Sequence, residues 1–390
     1  MLLQNRKVAI VGGGPGGLTL ARLLQQRGAT VAVYERDRSR HKRVQGGTLD
    51  LHYESGLAAL RQAGLLDAFK AHYRPGAEKL RLVDKHAAVV LDEHAASQPG
   101  TFGDPSFRPE IDRGPLRDIL LDSLAPGTVV WDRQFAAMQP AGQGWAITFQ
   151  NGATATADLV VGADGANSKI RSFVTPIAPL YAGITVVEGI VYDAAQHAPR
   201  VHALLQGGKI FALSDEKSLI VSAKGDGSLS FYTGCKTAES WARDCGIDFK
   251  DAAQVLAWFR QEFAGWAGSW DELFADGTHF AVRPQYCLPP TQTWVAQPNV
   301  TLLGDAAHLM PPYAGEGVNM AMLDALELSN CLTDNQYPNL QAAIAAYEQP
   351  MRQRASAVAQ ETLEQTAALH SPQGLKHLVS LFGGTSPSTS

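Results

Sequence analysis

Three glycines near the amino terminus, Gly12, Gly14 and Gly17, have the spacing of a turn that binds the phosphates of a dinucleotide. The first glycine allows a tight bend, the second lets the backbone approach a pyrophosphate, and the third lets a helix pack closely on a strand. Pro15 lies within the same turn. Glu35 follows Gly17 by 18 residues, where a carboxylate can accept hydrogen bonds from both hydroxyls of a ribose. The combination predicts a dinucleotide-binding site.

The surrounding residues have the pattern of the strand–helix–strand unit that must position this turn. Val8 to Val11 is a β-branched run, Leu18 to Gln26 has helical apolar spacing, and Thr30 to Glu35 has the pattern of a buried strand. This fingerprint alone does not separate NAD from FAD. The carboxylate of Glu35 disfavours NADP because it would repel the 2′-phosphate, although Arg36 beside it weakens that repulsion.

A second motif lies late in the chain, where the strand pattern of Asn299 to Leu303 is followed by Gly304-Asp305 and a glycine-bounded loop. Asp305 could bond a ribityl hydroxyl at the end of this strand. The loop, which opens a predicted helix over Gly317 to Cys331, could place backbone N–H groups near a flavin pyrimidine. By itself this pattern is one more α/β turn.

The remaining pattern indicates a separate antiparallel sheet between two α/β parts. Tyr181 to Phe231 contains short strand-like segments with glycine turns and no long helical pattern. Leu340 to about Ala368 predicts a long amphipathic helix that Pro350 would kink or interrupt. Further helices are predicted over 55–69, 111–124 and 255–263, and further strands over 80–91, 129–133, 145–149 and 158–161.

Composition favours an ordinary globular enzyme in the cytoplasm. The 390 residues carry a formal net charge of -5, so nothing points to binding of nucleic acid or an anionic membrane. No apolar run reaches the roughly 18 residues of a membrane span. The four cysteines are far apart and form no metal-ligand pattern, so we expect buried, reduced thiols and no metal site.

The segment from Gly162 to Arg171, which contains Asp164-Gly165, and the Gly304-Asp305 segment resemble paired motifs of the group-A flavin monooxygenases, the single-component aromatic hydroxylases. Three motifs occur in that family's order across nearly the whole chain. The resemblance implies an α/β fold, with a Rossmann-like FAD-binding domain of the GR2 type, an inserted antiparallel β-sheet substrate domain and a C-terminal helix. The implied bounds are 1–75, 100–175 and 280–335 for the FAD-binding domain, 76–99 and 176–279 for the sheet domain, 336–382 for the bridging helix, and 383–390 for a disordered tail.

The same resemblance implies the cofactor site. It assigns Glu35 and Arg36 to the adenosine end, and Arg113 and Asp305 to the FAD. Asp164 is expected to shape the FAD and NAD(P)H region rather than to act as a base. The implied cofactor-binding residues are Gly12, Gly14, Pro15, Gly17, Glu35, Arg36, Gly47, Asp50, Arg113, Asp164, Asp305, Pro312, Gly315, Gly317 and Asn319.

A closer resemblance is to the tetracycline-inactivating monooxygenases of the TetX type, carried by segments such as Tyr34 to Asp37, Gly46 to His52, and Gly304 to Pro312. These segments belong almost entirely to the flavin domain. Where those enzymes direct Gln, Arg and His side chains at the drug, this chain has Glu188, Lys209 and Ser230. The substrate-binding residues expected here are Glu188, Lys209, Ser222 and Ser230, with a strand-surface cation as the alternative reading of Lys209.

The resemblance implies a monooxygenase that holds FAD tightly and uses NAD(P)H as a transient reductant, since no second glycine fingerprint follows a strand. Oxygen from O₂ would pass from a flavin C4a-hydroperoxide to a phenolic or enolic polycyclic compound, with tetracyclines as one candidate. We expect a monomer. His308 is interpreted as structural support rather than as an acid or base. The alternatives are a flavin reductase or dehydrogenase, and a non-catalytic ligand-binding flavoprotein; a halogenase is disfavoured because no Trp-x-Trp-x-Ile-Pro segment is present.

Overall fold

The computed structural model describes residues 2–42, 46–95 and 100–383. The tail expected over 383–390 therefore lies outside the described residues except for Gly383. The strands are β1 (Lys7–Val11), β2 (Thr30–Tyr34), β3 (Thr48–Asp50), β4 (Leu80–Val83), β5 (Val89–Asp92), β6 (Glu110–Asp112), β7 (Val129–Val130), β8 (Phe135–Ala141), β9 (Gly144–Phe149), β10 (Thr154–Ala157), β11 (Leu159–Gly162), β12 (Leu180–Val191), β13 (Lys209–Ser214), β14 (Lys217–Ala223), β15 (Leu229–Lys236), β16 (His279–Cys287) and β17 (Val300–Leu302).

The helices are α1 (Pro15–Gln26), α2 (Gly56–Gln62), α3 (Leu66–Lys70), α4 (Arg113–Asp122), α5 (Ala194–His197), α6 (Pro199–Leu205), α7 (Trp241–Asp244), α8 (Ala252–Glu262), α9 (Asp305–His308), α10 (Gly317–Thr333), α11 (Leu340–Leu369) and α12 (Gly374–Phe382). None of the described helices is both long enough and apolar enough to span a bilayer.

A five-stranded parallel sheet, in the order β17-β11-β1-β2-β7, forms the centre of the FAD-binding domain. Its central strands are continuous apolar runs because helices and other strands cover both faces. β1, α1 and β2 form the predicted strand–helix–strand unit. The three motifs found in the sequence follow β1, β11 and β17, which are neighbours in the sheet, so they meet at its carboxyl edge.

Two predicted helices are shorter than their sequence patterns. The helix expected over 111–124 begins only at Arg113, because Glu110–Asp112 pairs with β3 in a two-stranded ribbon. The helix expected over 55–69 is divided into α2 and α3 at Gly64, whose φ of +70° is incompatible with a continuing helix. The β3–β6 ribbon is the part of the FAD-binding domain that faces the second sheet.

That second sheet has seven strands in the order β16-β12-β15-β14-β13-β4-β5. One of its faces is covered by α6, α8 and a 3₁₀ turn at Trp270–Phe274, which bury Val187, Val221 and Phe231. The predicted domain boundary at residue 280 is wrong, because β16 pairs with β12 along most of its length and so belongs to this sheet. The sequence does not indicate this pairing, because two helices and a 3₁₀ turn separate β16 from β15 along the chain.

The carboxyl-terminal segment contains two helices rather than the single helix expected over 336–382. α11 continues without a break through Pro350, which is exposed, so the expected interruption is absent. The chain then turns through Ser371 and Pro372 into α12. α11 is fixed to the FAD-binding domain through Tyr347, whose hydroxyl donates to the carbonyl of Leu302 at 2.9 Å.

All four cysteines are free thiols. Cys235 and Cys287 are buried as expected, and burial raises the pKa of each. Cys245 and Cys331 are half-buried, so the expectation that all four would be buried is wrong. Cys331 lies in α10, and Cys245 directly follows α7.

Candidate functional site

The glycine turn between β1 and α1 has the steric properties that a pyrophosphate requires. Gly12 has a φ of +114°, and a Cβ there would lie 2.1 Å from the carbonyl oxygen of Ala163. A Cβ at Gly17 would lie 2.2 Å from the carbonyl oxygen of Gly12, so helix and strand touch at this point. At Gly14, by contrast, the Cβ position has no atom within 4 Å from the described residues other than its neighbours in the chain. Gly14 caps α1, whose first residue is Pro15, so its open side is also the amino-terminal end of the helix dipole.

The carboxylate of Glu35 holds this turn against the end of β2. Its Oε2 accepts the N–H of Gly13 at 2.7 Å, and its Oε1 accepts the N–H of Asp37 at 3.0 Å. Glu35 is buried, whereas Arg36 is exposed. A carboxylate oxygen can accept more than one hydrogen bond, so the predicted contact of Glu35 with a ribose is compatible with these bonds.

Arg171 joins the Asp164 segment to the Asp305 segment. Its guanidinium donates to the carbonyls of Asp305 at 2.9 Å and Ala306 at 2.8 Å. The Oδ2 of Asp164 accepts the N–H of Lys169 at 2.8 Å, while its buried Oδ1 has no partner among the described residues. Asp164 therefore has one oxygen that shapes the loop and another that remains available to a ligand.

Asp305 begins α9 and faces the start of α10. A Cβ at Gly317 would lie 3.9 Å from the Oδ1 of Asp305. Burial raises the pKa of Asp305, although the charges of His308, Arg113 and Arg171 oppose that effect. Asp305 and the amino terminus of α10 thus lie side by side at the carboxyl edge of the parallel sheet, as the sequence predicts for a flavin site.

The side chain of Asn319 forms hydrogen bonds with the protein backbone. Its Oδ1 accepts the N–H of His52 at 2.9 Å, and its Nδ2 donates to the carbonyl of Asp50 at 2.9 Å. The predicted role of Asn319 at the cofactor is thus restricted to positioning and backbone contacts. In the loop before α10, Pro312 and Gly315 are exposed, and a Cβ at Gly315 would lie 3.7 Å from the Oδ1 of Asp50.

The predicted substrate residues all lie on one face of the seven-stranded sheet. Lys209, Ser222 and Ser230 are paired in register across β13, β14 and β15. Glu188 on β12 is paired with Tyr232, two residues from Ser230. Because side chains alternate between faces, these residues point away from the helix-covered core that buries their neighbours. They point instead toward the β3–β6 ribbon and the segment Gly46–Gly47.

The flavin-domain segment Gly46–Gly47 lies directly on this polar face. The N–H of Gly47 donates to the hydroxyl of Tyr232 at 3.1 Å, and a Cβ at Gly47 would lie 2.4 Å from that oxygen and 3.2 Å from the Oγ of Ser230. A Cβ at Gly46 would lie 3.2 Å from a carboxylate oxygen of Glu188 and 3.7 Å from the side chain of Arg113. Two predicted cofactor residues, Gly47 and Arg113, are therefore brought together with two predicted substrate residues.

Lys209 is not a strand-surface cation. Its ammonium group pairs with the fully buried carboxylate of Glu110 on β6. Burial opposes the charge on Lys209, but the charges of Glu110 and Asp50 outweigh it and raise the pKa of the lysine. Because its nitrogen is paired with Glu110 of the β3–β6 ribbon, a contact of Lys209 with a substrate would be secondary to its role in holding the two domains together.

Glu188 has a comparable partner in Arg283, whose Nε donates to its Oε2 at 2.5 Å. Glu110, Tyr232 and Arg283 are site residues that sequence reasoning did not identify. Each becomes significant only through strand register or through contact between the two domains. The alternation of side chains along β15 is the one sequence signal that could have identified Tyr232 from Ser230.

His308 is structural, as interpreted from the sequence. It is buried, and its Nε2 lies 2.5 Å from the Oδ2 of Asp324 on α10. The same oxygen accepts the N–H of Gly304 at 2.9 Å, while Arg354 on α11 binds the other oxygen. Burial opposes the charged form of His308, but the nearby carboxylate of Asp324 has the larger effect, and the pKa of His308 is raised. This network fixes the Gly304-Asp305 turn to α10 and α11.

These residues fit an FAD molecule. The open side of Gly14 offers a cradle for the pyrophosphate, the free oxygen of Asp164 is a buried acceptor, and Asp305 lies beside the amino terminus of α10. Residues at both ends of an extended dinucleotide are thus aligned along one edge of the parallel sheet.

Comparison with known proteins supports binding of FAD. The family described as "FAD binding domain" matches residues 5–362. The chain is 28% identical to 6-hydroxynicotinate 3-monooxygenase of Pseudomonas fluorescens over 91% of this chain and 90% of that protein. It is 27% identical to the monooxygenase penA of Penicillium thymicola, over 95% and 97% of the two chains.

Among solved structures, the tetracycline destructase Tet(55) superposes with a TM-score of 0.73 over 98% of this chain and 96% of that one, at 19% identity. At that identity the likeness shows a shared fold, with mixed α/β sheets and C-terminal helices. The match over most of the chain identifies this protein as a member of the FAD-binding-domain family, within the group-A FAD-dependent monooxygenases of the aromatic hydroxylase type.

Proposed function

We propose that this protein uses NAD(P)H and O₂ to hydroxylate a phenolic or enolic aromatic compound, which binds between the flavin and the polar face of the seven-stranded sheet. The observation that carries this proposal is the contact of Gly46–Gly47 with Tyr232, Ser230 and Glu188. A substrate on this face would lie next to the segment that approaches Arg113. FAD, when bound, would supply the electrons from NAD(P)H and the activation of oxygen.

The protein's own residues would orient the substrate and exclude water. Ser230 is fully buried, and its Oγ has no partner among the described residues, so it can bind a substrate oxygen without losing a bond to the protein. Tyr232 accepts the N–H of Gly47 and retains its own O–H as a donor. A hydroxylated ring, which both donates and accepts hydrogen bonds, suits this pair.

The relatives support an aromatic substrate without identifying one. One acts on 6-hydroxynicotinate, a hydroxylated aromatic ring, and a structural neighbour is a tetracycline destructase. We place tetracyclines in the test panel because of that likeness, and hydroxylated monocyclic aromatics because of the closer sequence relatives. Polar groups in the pocket decide between such substrates, since loss of one required hydrogen bond can change selectivity by about 10⁴-fold.

The experiment that tests this proposal measures NADH and NADPH oxidation by the FAD-loaded protein, with and without each compound. Substrate-stimulated oxygen consumption and a product heavier by one oxygen atom would support hydroxylation. Reduction of an acceptor without oxygen insertion would instead establish a reductase or dehydrogenase. Tight binding of a compound without any NAD(P)H oxidation would establish a ligand-binding flavoprotein.

A further inference from the structure

Tyr313 connects the flavin-side loop, residues 312–316 before α10, to two other parts of the fold. Its hydroxyl lies 3.4 Å from the Nε2 of His370, the residue that directly follows α11. The same nitrogen lies 3.1 Å from the Oγ of Ser218 on β14. The loop, the seven-stranded sheet and the end of α11 are therefore joined by one group of three polar atoms.

This group lies over Gly234 on β15, which pairs in register with Ser218. A Cβ at Gly234 would lie 2.6 Å from the Nε2 of His370 and closer still to the hydroxyl oxygens of Tyr313 and Ser218. A residue without a side chain is required here, because any Cβ would push the three atoms apart. Since side chains alternate along a strand, Gly234 shares the face of Tyr232. The loop is thus held on the polar face that we propose for the substrate.

The hydrogen bonds of His370 decide which atoms donate. Its Nδ1 lies 2.8 Å from the carbonyl oxygen of Thr366, which can only accept, so Nδ1 carries a proton. His370 is fully buried and burial lowers its pKa, so the ring is neutral at neutral pH and its Nε2 accepts. Burial raises the pKa of Tyr313, so its hydroxyl keeps its proton. That proton is donated to His370 or to Ser218, which also bonds the hydroxyl of Tyr313.

The ring of Tyr313 gives the loop an apolar contact as well. It packs against a cluster of buried leucines from the sheet and the C-terminal helices: Leu80, Leu82, Leu213, Leu369 and Leu378. Pro312 and Gly315, in the same loop, are exposed. The side chain of Tyr313 therefore fixes the loop to the sheet and to the end of α11, and its ring and its hydroxyl contribute separately.

We propose that Tyr313 is a positioning residue, whose hydroxyl holds the flavin-side loop in one place against the substrate face. This inference rests on the proposed function, since it concerns the same site. Loss of the hydroxyl leaves the ring packed on the leucine cluster but frees the loop from Ser218 and His370, so the loop opens more often. An open loop no longer maintains the geometry that the reaction needs, so kcat falls and more NAD(P)H is oxidised without product.

The test is hydrogen–deuterium exchange of the FAD-loaded protein, followed by mass spectrometry of the peptide that covers the loop. The N–H of Gly315 donates to the carbonyl of Pro312 at 3.0 Å, so exchange in this peptide reports opening of the loop. We expect Tyr313→Phe to speed this exchange about fivefold, as for loss of one hydrogen bond between neutral groups. Ser218→Ala, which removes the other hydroxyl, should speed it as well. In turnover, Tyr313→Phe should lower kcat by about fivefold and lower the yield of product per NAD(P)H, with KM and FAD content little changed.

Tyr286→Phe is the matched control, because it removes the hydroxyl of another half-buried tyrosine, whose bond to Glu239 lies within the sheet domain. It should leave the loop exchange and kcat at their wild-type values. If Tyr313→Phe leaves the loop exchange unchanged, or if Tyr286→Phe speeds it equally, the proposal is refuted. A lower melting temperature with unchanged loop exchange and kcat would also refute it, since Tyr313 would then only stabilise the fold. A wild-type protein that hydroxylates no compound would refute the proposed function, whereas the exchange measurement needs only bound FAD and still decides whether Tyr313 holds the loop.

Discussion

The ammonium group of Lys209 in the sheet domain pairs with the buried carboxylate of Glu110 on the ribbon of the FAD-binding domain. Asp50, which pairs with Glu110 in the ribbon, adds a second negative charge near the same lysine. The contact lies beside the row that includes Ser222 and Ser230, so it controls how closely the polar face approaches the flavin domain.

We expect Lys209→Ala to destabilise the protein by about 3–5 kcal/mol, because it leaves the carboxylate of Glu110 buried without a counter-charge. The double variant Lys209→Met with Glu110→Gln should recover much of that loss, since no uncompensated charge remains. Urea unfolding of the wild type, Lys209→Met, Glu110→Gln and the double variant measures the coupling. Additive effects in this cycle would mean that the two groups do not interact in solution.

The same pair predicts a pH dependence. Since the pKa of Lys209 is raised in the folded state, its contribution to stability is complete below the unfolded lysine pKa of about 10.4 and is lost as the pH rises through the folded pKa. The stability difference between wild type and Lys209→Met should therefore be constant around neutral pH and decrease above about pH 10. A difference that decreases already between pH 6 and 8 would contradict this assignment.

Substitution of Gly14 and of Gly17 by valine should have different effects on FAD binding and stability. Among the described residues other than its chain neighbours, none has an atom within 4 Å of a Cβ at position 14, so we expect Gly14→Val to fold. It should lose FAD because the side chain occupies the pyrophosphate position. Valine at position 17 collides with the carbonyl of Gly12 and should lower the melting temperature as well. Flavin absorbance per protein and thermal unfolding check both. A yellow, fully loaded Gly14→Val protein would refute the fingerprint assignment.

Arg113 is exposed at the start of α4, so its removal should cost little in folding. If it binds FAD as predicted, Arg113→Ala should raise the dissociation constant for FAD about tenfold or more, as expected for loss of a hydrogen bond to a charged group. Arg243→Ala, at another exposed position, is the control and should bind FAD normally. If the two variants bind FAD with equal affinity, Arg113 does not contact FAD and is only a surface charge.

Ser230 gives a direct test of the substrate face. Because its Oγ has no partner among the described residues, Ser230→Ala should leave the free energy of unfolding unchanged or slightly increased. For the true substrate, kcat/KM should fall about tenfold with FAD content unchanged. Unchanged kcat/KM for every accepted substrate would show that the substrate does not reach this row of the sheet.

Much of the cofactor site can be predicted from the sequence, because it depends on local rules. The spacing of Gly12, Gly14 and Gly17, the acid at the end of the next strand, and the order of the Asp164 and Asp305 segments are all visible along the chain. Each follows a strand of the parallel sheet, and the carboxyl ends of parallel strands meet at one edge. Local patterns along the chain are therefore enough to predict where these residues lie, without knowledge of contacts between distant segments.

Only the tertiary structure decided which groups face one another across the two domains. Lys209 and Glu110 are 99 residues apart, and Tyr232 and Gly47 are 185 residues apart. Such contacts depend on strand register and on how the two sheets are placed, and no local propensity encodes either. For the same reason the sequence predicts that β16 belongs to the FAD-binding domain and that Lys209 binds substrate, with a strand-surface cation as the alternative. In the fold, β16 belongs to the seven-stranded sheet, and Lys209 is a half-buried charge paired with Glu110.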